Sequence, residues 1–170
     1  MTASKQVPKA PMILIYPDAR LRREAREVDL GDADLPLAIR QLELALGAGP
    51  GAVGIAAPQI GLDQRMIIVD CTTARRPCLN HGRLVMLNPV IEDREGRVLG
   101  REGCLSVPDW VGMVPRSHRI LVSFQTPEGA TRRIESLGFE ARVIQHEIDH
   151  LDGILFIDRV VSVRDLVRRP

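Results

Sequence analysis

The chain has 170 residues, of which 45% are hydrophobic, and a formal net charge of +1. This length and composition are sufficient for a sizeable core and suit a single domain spanning residues 1–170. The near-neutral charge argues against a protein that binds nucleic acid through bulk electrostatics, so we expect no specific nucleic-acid partner.

The three cysteines, Cys71, Cys78 and Cys104, cannot all pair within the chain, and no signal-peptide pattern precedes them. The longest early apolar run, residues 12–16, is far too short to span a bilayer, so we expect no membrane partner. Free thiols are typical of a reducing compartment. The sequence therefore predicts a cytoplasmic protein.

The first third of the chain predicts one well-defined helix. Residues 1–11 contain two prolines and no periodic pattern, so we expect a loose arm, and the charged segment 20–28 predicts an exposed helix. A better helix begins after Asp34 as N-cap, with Pro36 in its first turn and apolar residues at helical spacing, namely Leu35, Ile39, Leu42 and Leu46. The glycine-rich run 47–51 should end it.

Short apolar segments separated by turn residues predict strands through the rest of the chain. We expect them at 65–70, at 84–87, in hairpins at 90–99 and at 119–137, and at 155–157, with only a helical turn or two over 163–169. One buried helix among such strands makes the fold α+β, rather than a doubly wound sheet.

That helix, predicted over about 139–151 and ended by Gly153, carries the HExxH pattern in residues 146–150. The pattern places two imidazoles one turn apart on one helix face, where they can bind a single metal ion. Glu147 lies beside them, and a carboxylate there can take a proton from an attacking water and return it to a leaving group. HExxH also occurs by chance, but this helix is apolar on both sides, and buried imidazoles need partners. The pattern indicates metal-assisted hydrolysis.

The third metal ligand determines the class of enzyme. The extended peptidase pattern HExxHxxGxxH fails because Phe156 replaces the third His, and no Glu follows Glu147 to serve the other common class. Cys104 is the stronger candidate because a thiolate binds first-row metals well. A core role for Cys104 remains open, and other possible ligands are Asp152, Asp158, Asp165, His81 and His118.

Three motifs in order, GIAAPQ at 54–59, EGCLS at 102–106 and QHEIDH at 145–150, resemble those of peptide deformylases. The resemblance extends through residues 16–18, 114–116 and 151–153, and so covers nearly the whole chain. It implies an enzyme that removes the N-formyl group from new polypeptides and releases formate. It also implies an α+β fold in which strands surround a central buried helix carrying HExxH.

Carried over by position, the resemblance implies that Cys104, His146 and His150 bind the metal and that Glu147 is the general base and acid. Gln59 and the backbone N–H of Leu105 would donate hydrogen bonds to the developing oxyanion. The family usually holds Fe²⁺ and also tolerates Zn²⁺, Ni²⁺ or Co²⁺.

Formyl-methionine substrates imply an apolar pocket. We expect Val53, Gly54, Phe139 and Val143 to line it, with Trp110 near its entrance. The partners would be nascent formyl-Met peptides, together with a transient ribosome contact through arginines at the end of the chain, namely Arg164, Arg168 and Arg169.

One position departs from the family pattern, because Ala52 stands where the motif usually begins with glycine. If that position required a positive φ, alanine would be strained there. Two other functions stay open: a metallopeptidase that uses HExxH with an Asp ligand, and a catalytically silent metal-binding paralogue. Intact Glu147 and Gln59 argue against the silent protein.

Overall fold

The structure, a computed structural model, describes residues 9–169, so most of the predicted N-terminal arm lies outside the described residues. It is an α+β fold, as the sequence predicts, and it has two antiparallel sheets and two α-helices within that range. The helices are α1 (Leu35–Ala48) and α2 (Gly138–Leu151). The strands are β1 (Gly54–Ala56), β2 (Met66–Asp70), β3 (Arg83–Glu95), β4 (Val98–Cys104), β5 (Val107–Arg116), β6 (Arg119–Gln125), β7 (Thr131–Leu137) and β8 (Leu166–Arg168).

The two sheets differ in size. The larger has the strand order β1-β2-β3-β6-β7, and the smaller has the order β4-β5-β8. Strand β1 is therefore an edge of the larger sheet, and β4 is an edge of the smaller one. These two edges border the same cavity, described below.

Helix α2 contacts β1, β2, β6 and β7 of the larger sheet. Its first residue, Gly138, has a φ of +59° and donates from its N–H to the His118 carbonyl at 2.7 Å, which turns β7 directly into the helix. Every residue from Glu140 to Leu151 is buried. The apolar ones, such as Ala141 and Ile144, belong to the core formed with the larger sheet. The polar residues of this segment are buried as well, so they need partners within the protein.

The structure confirms the predicted helix after Asp34, the strand at 65–70, the hairpin of β6 and β7, and the extent of α2. The exposed helix predicted over 20–28 is wrong. Only Ala19–Arg22 form a 3-10 turn, because the Ala25 N–H bonds to the Leu151 carbonyl and the Val28 N–H to the Asn88 side chain.

Three further predictions from short segments are wrong. The predicted hairpin over 90–99 does not form because β3 pairs with β6 and β4 pairs with β5, in different sheets. Residues 155–157 form no strand, and Phe156–Asp158 are instead a 3-10 turn. The segment 163–169 was predicted as helical turns only, but after the turn Val163–Asp165 it forms β8, which pairs with β5.

No helix among residues 9–169 is long and apolar enough to cross a membrane.

Candidate metal centre

Two different parts of the fold bring a thiol and two imidazoles together. Cys104 ends β4 at a register shift in the β4–β5 hairpin, and His146 and His150 lie one turn apart on α2. The candidate ligand atoms of the three residues all lie within 4.8 Å of one another. The Cys104 Sγ is 3.3 Å from the His150 Nε2. All three residues are buried, so this is a preformed cluster of groups that could bind a metal ion.

A buried carboxylate orients one of the imidazoles. The His146 Nδ1 lies 2.9 Å from the Glu102 Oε2, which leaves its Nε2 for the cluster. Glu102 also accepts two hydrogen bonds from the Arg116 guanidinium, at 2.9 and 3.0 Å, and one from the Arg142 Nη1 at 2.9 Å. Burial opposes its ionisation, but His146 and Arg116 lower the pKa of Glu102 to about 2. Glu102 is therefore a fixed anion behind the cluster.

The cluster fits a divalent metal ion. Burial disfavours a thiolate, yet the neighbouring His150 and His146 hold the pKa of Cys104 well below its ordinary value. The buried His150 Nδ1 has no hydrogen-bond partner among residues 9–169. One soft sulfur with two imidazole nitrogens is a common donor set for first-row metals, and three protein ligands leave a coordination position for water or substrate.

Glu147 lies next to this cluster without a hydrogen bond to it. It is buried, and its Oε2 has no hydrogen-bond partner among residues 9–169. Burial raises the pKa of Glu147 to about 7, although His146 and His150 oppose the shift. An unpaired carboxylate in such a place is available to exchange protons with a bound molecule.

Gln59 and Leu105 both lie beside this cluster and line the cavity described below. The Gln59 Oε1 accepts from the Ala56 N–H at 2.9 Å, which fixes the amide so that its Nε2 lies 3.5 Å from the Cys104 sulfur and 3.2 Å from the Ser106 Oγ. Leu105 occupies the turn between β4 and β5, and within residues 9–169 its N–H has no acceptor. Both groups are donors placed beside the cluster.

A cavity of about 260 Å³ opens next to these groups. Its lining includes Val53, Gly54, Phe139 and Val143, all of which the sequence predicts for a substrate pocket. Trp110 does not line it. It lies on β5 opposite Arg168 of β8, in the smaller sheet, and its position near the entrance stays a prediction.

The cavity has charged walls that the sequence analysis missed. Three arginines line it, namely Arg101, Arg142 and Arg169. The Arg142 guanidinium fits against Gly100, where an added Cβ would lie 2.6 Å from its Cζ, and it donates to the carbonyls of Val98 and Val114 at 2.7 Å. Arg142 lies one turn before His146 on the same face of α2, and this position could have predicted a charged group in the cavity wall.

The other ligands considered from sequence lie outside the cluster and have other partners. Asp152 pairs with Arg65, Asp158 pairs with Arg22, and His81 pairs with Glu140. Asp165 accepts from the Ser162 N–H, and His118 packs beside Gly96. Among the described residues, only Cys104, His146 and His150 form a group that could hold a metal ion.

Ala52 is unstrained. The left-handed conformation falls one residue earlier, at Gly51 with a φ of +69°, and Asn88 is the one non-glycine residue between 9 and 169 with a positive φ. The Ala52 N–H bonds to the Gly49 carbonyl at 3.2 Å. The glycine-rich run 47–51 therefore absorbs the turn that would have strained an alanine.

Comparison with known proteins gives a consistent result. A family model described as polypeptide deformylase matches residues 10–165. The peptide deformylase of Thermus thermophilus is 46% identical over 157 residues, which cover 87% of this chain and 81% of that protein.

Solved structures agree with the sequence comparison. A class I type b peptide deformylase from Acinetobacter baumannii, crystallised with Met-Ala-Ser, has a TM-score of 0.81 and 34% identity, covering 89% of this chain and 98% of that one. A peptide deformylase from Synechococcus elongatus in complex with actinonin has a TM-score of 0.82 and 32% identity, covering 97% of this chain and 86% of that one.

Proposed function

Because the chain belongs to the peptide deformylase family, we propose a role for each residue of its cavity in the removal of an N-formyl group. Family members are metal-dependent hydrolases that deformylate nascent peptides, and this chain is such an enzyme. The observation that carries the assignment of roles is the convergence of Cys104, His146 and His150 beside an unpaired Glu147.

Cys104, His146 and His150 are the proposed ligands of a single metal ion at the end of the central helix that carries HExxH. A bound divalent ion would supply a Lewis acid that polarises the formyl oxygen and lowers the pKa of water. We propose Fe²⁺ as the native ion, with Zn²⁺, Ni²⁺ or Co²⁺ as replacements, since this donor set suits several first-row metals. Metal analysis after anaerobic purification tests this; tightly bound zinc with full activity would contradict it.

Glu147 carries the proton in the proposed reaction. Its carboxylate removes a proton from the water that attacks the formyl carbon, and the same proton then goes to the amide nitrogen as the C–N bond breaks. The products are formate and a peptide with a free amine. The support for this role is that the Glu147 Oε2 has no partner in the described residues, although it is buried beside the ligands.

Gln59 and Leu105 stabilise the oxyanion that develops on the formyl oxygen. The Ala56 N–H holds the Gln59 Oε1, so the Nε2 is the part of the amide that faces the cavity. The free N–H of Leu105 provides a second donor. Each such preorganised donor is typically worth about 3 kcal/mol in the transition state.

The peptide binds in an extended form between two sheet edges. Strands β1 and β4 are both edge strands bordering the cavity, so their unpaired backbone groups can hydrogen-bond an extended chain. The methionine side chain enters the space beside Val53, Phe139, Arg142 and Val143. The Met-Ala-Ser complex of the Acinetobacter baumannii enzyme supports a peptide ligand of this kind.

The proposed substrate also suggests where the enzyme works and what it contacts there. We propose that residues 1–170 form one domain that works in the cytoplasm, where the three free thiols stay reduced and formylated chains are made. A transient ribosome contact would use exposed arginines near the end of the chain, such as Arg164 and Arg168.

Formate release from formyl-Met-Ala-Ser tests the proposal, with the wild type beside Glu147→Gln. We expect the variant to keep its metal and to lose activity by about 10²- to 10⁴-fold, because only the proton carrier is lost. Glu128→Gln, in the exposed β6–β7 turn, is the matched control and should behave as wild type. A Glu147→Gln rate within twofold of wild type, with equal metal content, would refute the role of this carboxylate.

A further inference from the structure

The exposed face of β4 carries a positive charge that the deformylation chemistry does not use. Side chains alternate along the strand, so Glu102 and Cys104 face α2, whereas Arg101 and Gly103 face the opposite side. Arg101 is exposed and lines the cavity. It therefore lies on the outer rim of the cavity, on the face opposite the metal donors.

The last described residue brings a second guanidinium to this face. Strand β8 pairs with β5, and the Arg169 N–H bonds to the Asp109 carbonyl at 2.8 Å, which fixes Arg169 beside the β4–β5 hairpin. The Arg169 side chain packs against Gly103, and an added Cβ there would collide with its Nη2. Glycine at 103 thus makes room for the guanidinium at the rim of the cavity.

In the part of the chain that the structure describes, Arg101 and Arg169 lack the carboxylate partner that the buried Arg116 and Arg142 have. Arg116 and Arg142 both pair with Glu102 on the buried face. No carboxylate in residues 9–169 lies within 4.0 Å of the charged nitrogens of Arg101 or Arg169. Two guanidiniums without a counterion on one side of a peptide-binding edge attract an acidic group from a ligand.

We propose that Arg101 and Arg169 bind an acidic side chain at the second residue of the formylated peptide. The inference rests on the proposed function, in which the first side chain points toward α2 from an extended peptide along β4. Because side chains of an extended peptide alternate, the second side chain points to the other face, where these arginines lie. They are specificity-determining residues that prefer Asp or Glu at this position.

The test compares three substrates, formyl-Met-Glu-Ser, formyl-Met-Gln-Ser and formyl-Met-Lys-Ser, on the metal-loaded protein at low ionic strength. For the wild type we expect kcat/KM to fall in that order, with a Glu-to-Gln ratio of about three- to tenfold, since two exposed ion pairs contribute modestly. The preference should appear mainly in KM, and it should weaken at high salt. Calorimetric Kd values of Met-Glu-Ser and Met-Gln-Ser should show the same ratio.

The double variant Arg101→Gln/Arg169→Gln should bring the Glu-to-Gln ratio to about one, whereas Arg101→Lys/Arg169→Lys should keep a preference for Glu, because the charge remains. Arg76→Gln, an exposed arginine on the loop after β2, is the control and should keep the wild-type ratio. A wild-type ratio of one or less, or a ratio that persists in the double Gln variant, overturns the inference. Deformylation of formyl-Met-Gln-Ser without any preference leaves the proposed function intact, whereas no formate from that peptide refutes the function itself.

Discussion

Glu102→Gln is the substitution that most directly tests how the metal centre is supported. Glu102 is 6% exposed, and its carboxylate binds two guanidiniums and one imidazole, those of Arg116, Arg142 and His146. Glutamine has nearly the same shape but no charge, and its amide group can accept through only one oxygen. The substitution therefore leaves the geometry of the core intact and removes the anion that these three cationic or donor groups share.

The structure gives the size of the expected loss. Arg116 keeps Asp149 as a partner, but Arg142 keeps only the carbonyls of Val98 and Val114. Removing one partner of a buried ion pair costs about 3–5 kcal/mol of unfolding free energy. Because glutamine keeps one oxygen that can accept a hydrogen bond, we expect a loss near the lower end of this range. Loss of the acceptor behind His146 should lower metal affinity by about 10- to 100-fold.

Urea unfolding followed by circular dichroism measures the first effect, and competition with a chromophoric chelator measures the second. Glu92→Gln is the matched control because it breaks an exposed ion pair, in which the Glu92 Oε2 lies 2.6 Å from the Arg133 Nε. Exposed pairs contribute little, so the control should unfold and bind metal much as wild type does. If Glu102→Gln loses no more unfolding free energy or metal affinity than Glu92→Gln, the buried network does not support the centre in the way described.

Two glycines give further predictions. In Gly54→Ala the new Cβ would lie 2.6 Å from the Glu147 Oε1, so the carboxylate must shift; we expect kcat/KM to fall about 100-fold with metal content unchanged, and unchanged kinetics would contradict this. Gly153 ends α2 with a φ of +71°, and a Cβ there would lie 2.5 Å from the Arg22 carbonyl oxygen. Gly153→Ala should therefore lose more than about 2 kcal/mol of unfolding free energy in urea, well beyond Gly129→Ala, whose φ is also positive but whose surroundings are open; equal losses would refute the collision.

Elements specified by local patterns were predicted well from the sequence. Helix α1 has Pro36 near its start and apolar residues at helical spacing, and α2 is ended by Gly153 in a left-handed conformation. The β6–β7 hairpin has its own turn residues. In each case the signal lies within the element itself and its flanking turns, so no knowledge of the rest of the fold is needed.

Elements specified by distant partners were not predictable in this way. Residues 20–28 look helical from composition, but the Ala25 N–H bonds to Leu151, more than a hundred residues away. Strand β8 exists only because β5 offers it an edge. The hairpin expected over 90–99 failed for the same reason, since each strand finds a better partner in a different sheet.

The candidate site shows the same division. HExxH is a local pattern, and its two imidazoles could be predicted from spacing alone, but Cys104 lies 46 positions from His150 and entered through the motif around it. Glu102, Arg142 and Arg169 were missed as parts of the site because their meaning depends on what packs against them. The signals in the sequence were a Glu two positions before the candidate ligand Cys104 and an Arg one turn before His146.

The three candidate metal ligands come from two different layers of the fold. Cys104 belongs to the three-stranded sheet, whereas His146 and His150 belong to the helix that packs on the five-stranded sheet. The Glu102 carboxylate crosses the same boundary, because it lies on β4 and contacts both Arg142 and His146 of α2. An ion bound by the three donors would therefore join the small sheet to the helix at the place where a buried ion network already joins them. Since metal binding to such a set is coupled to folding free energy, the proposed catalysis and the packing of the small sheet on α2 would depend on the same few residues.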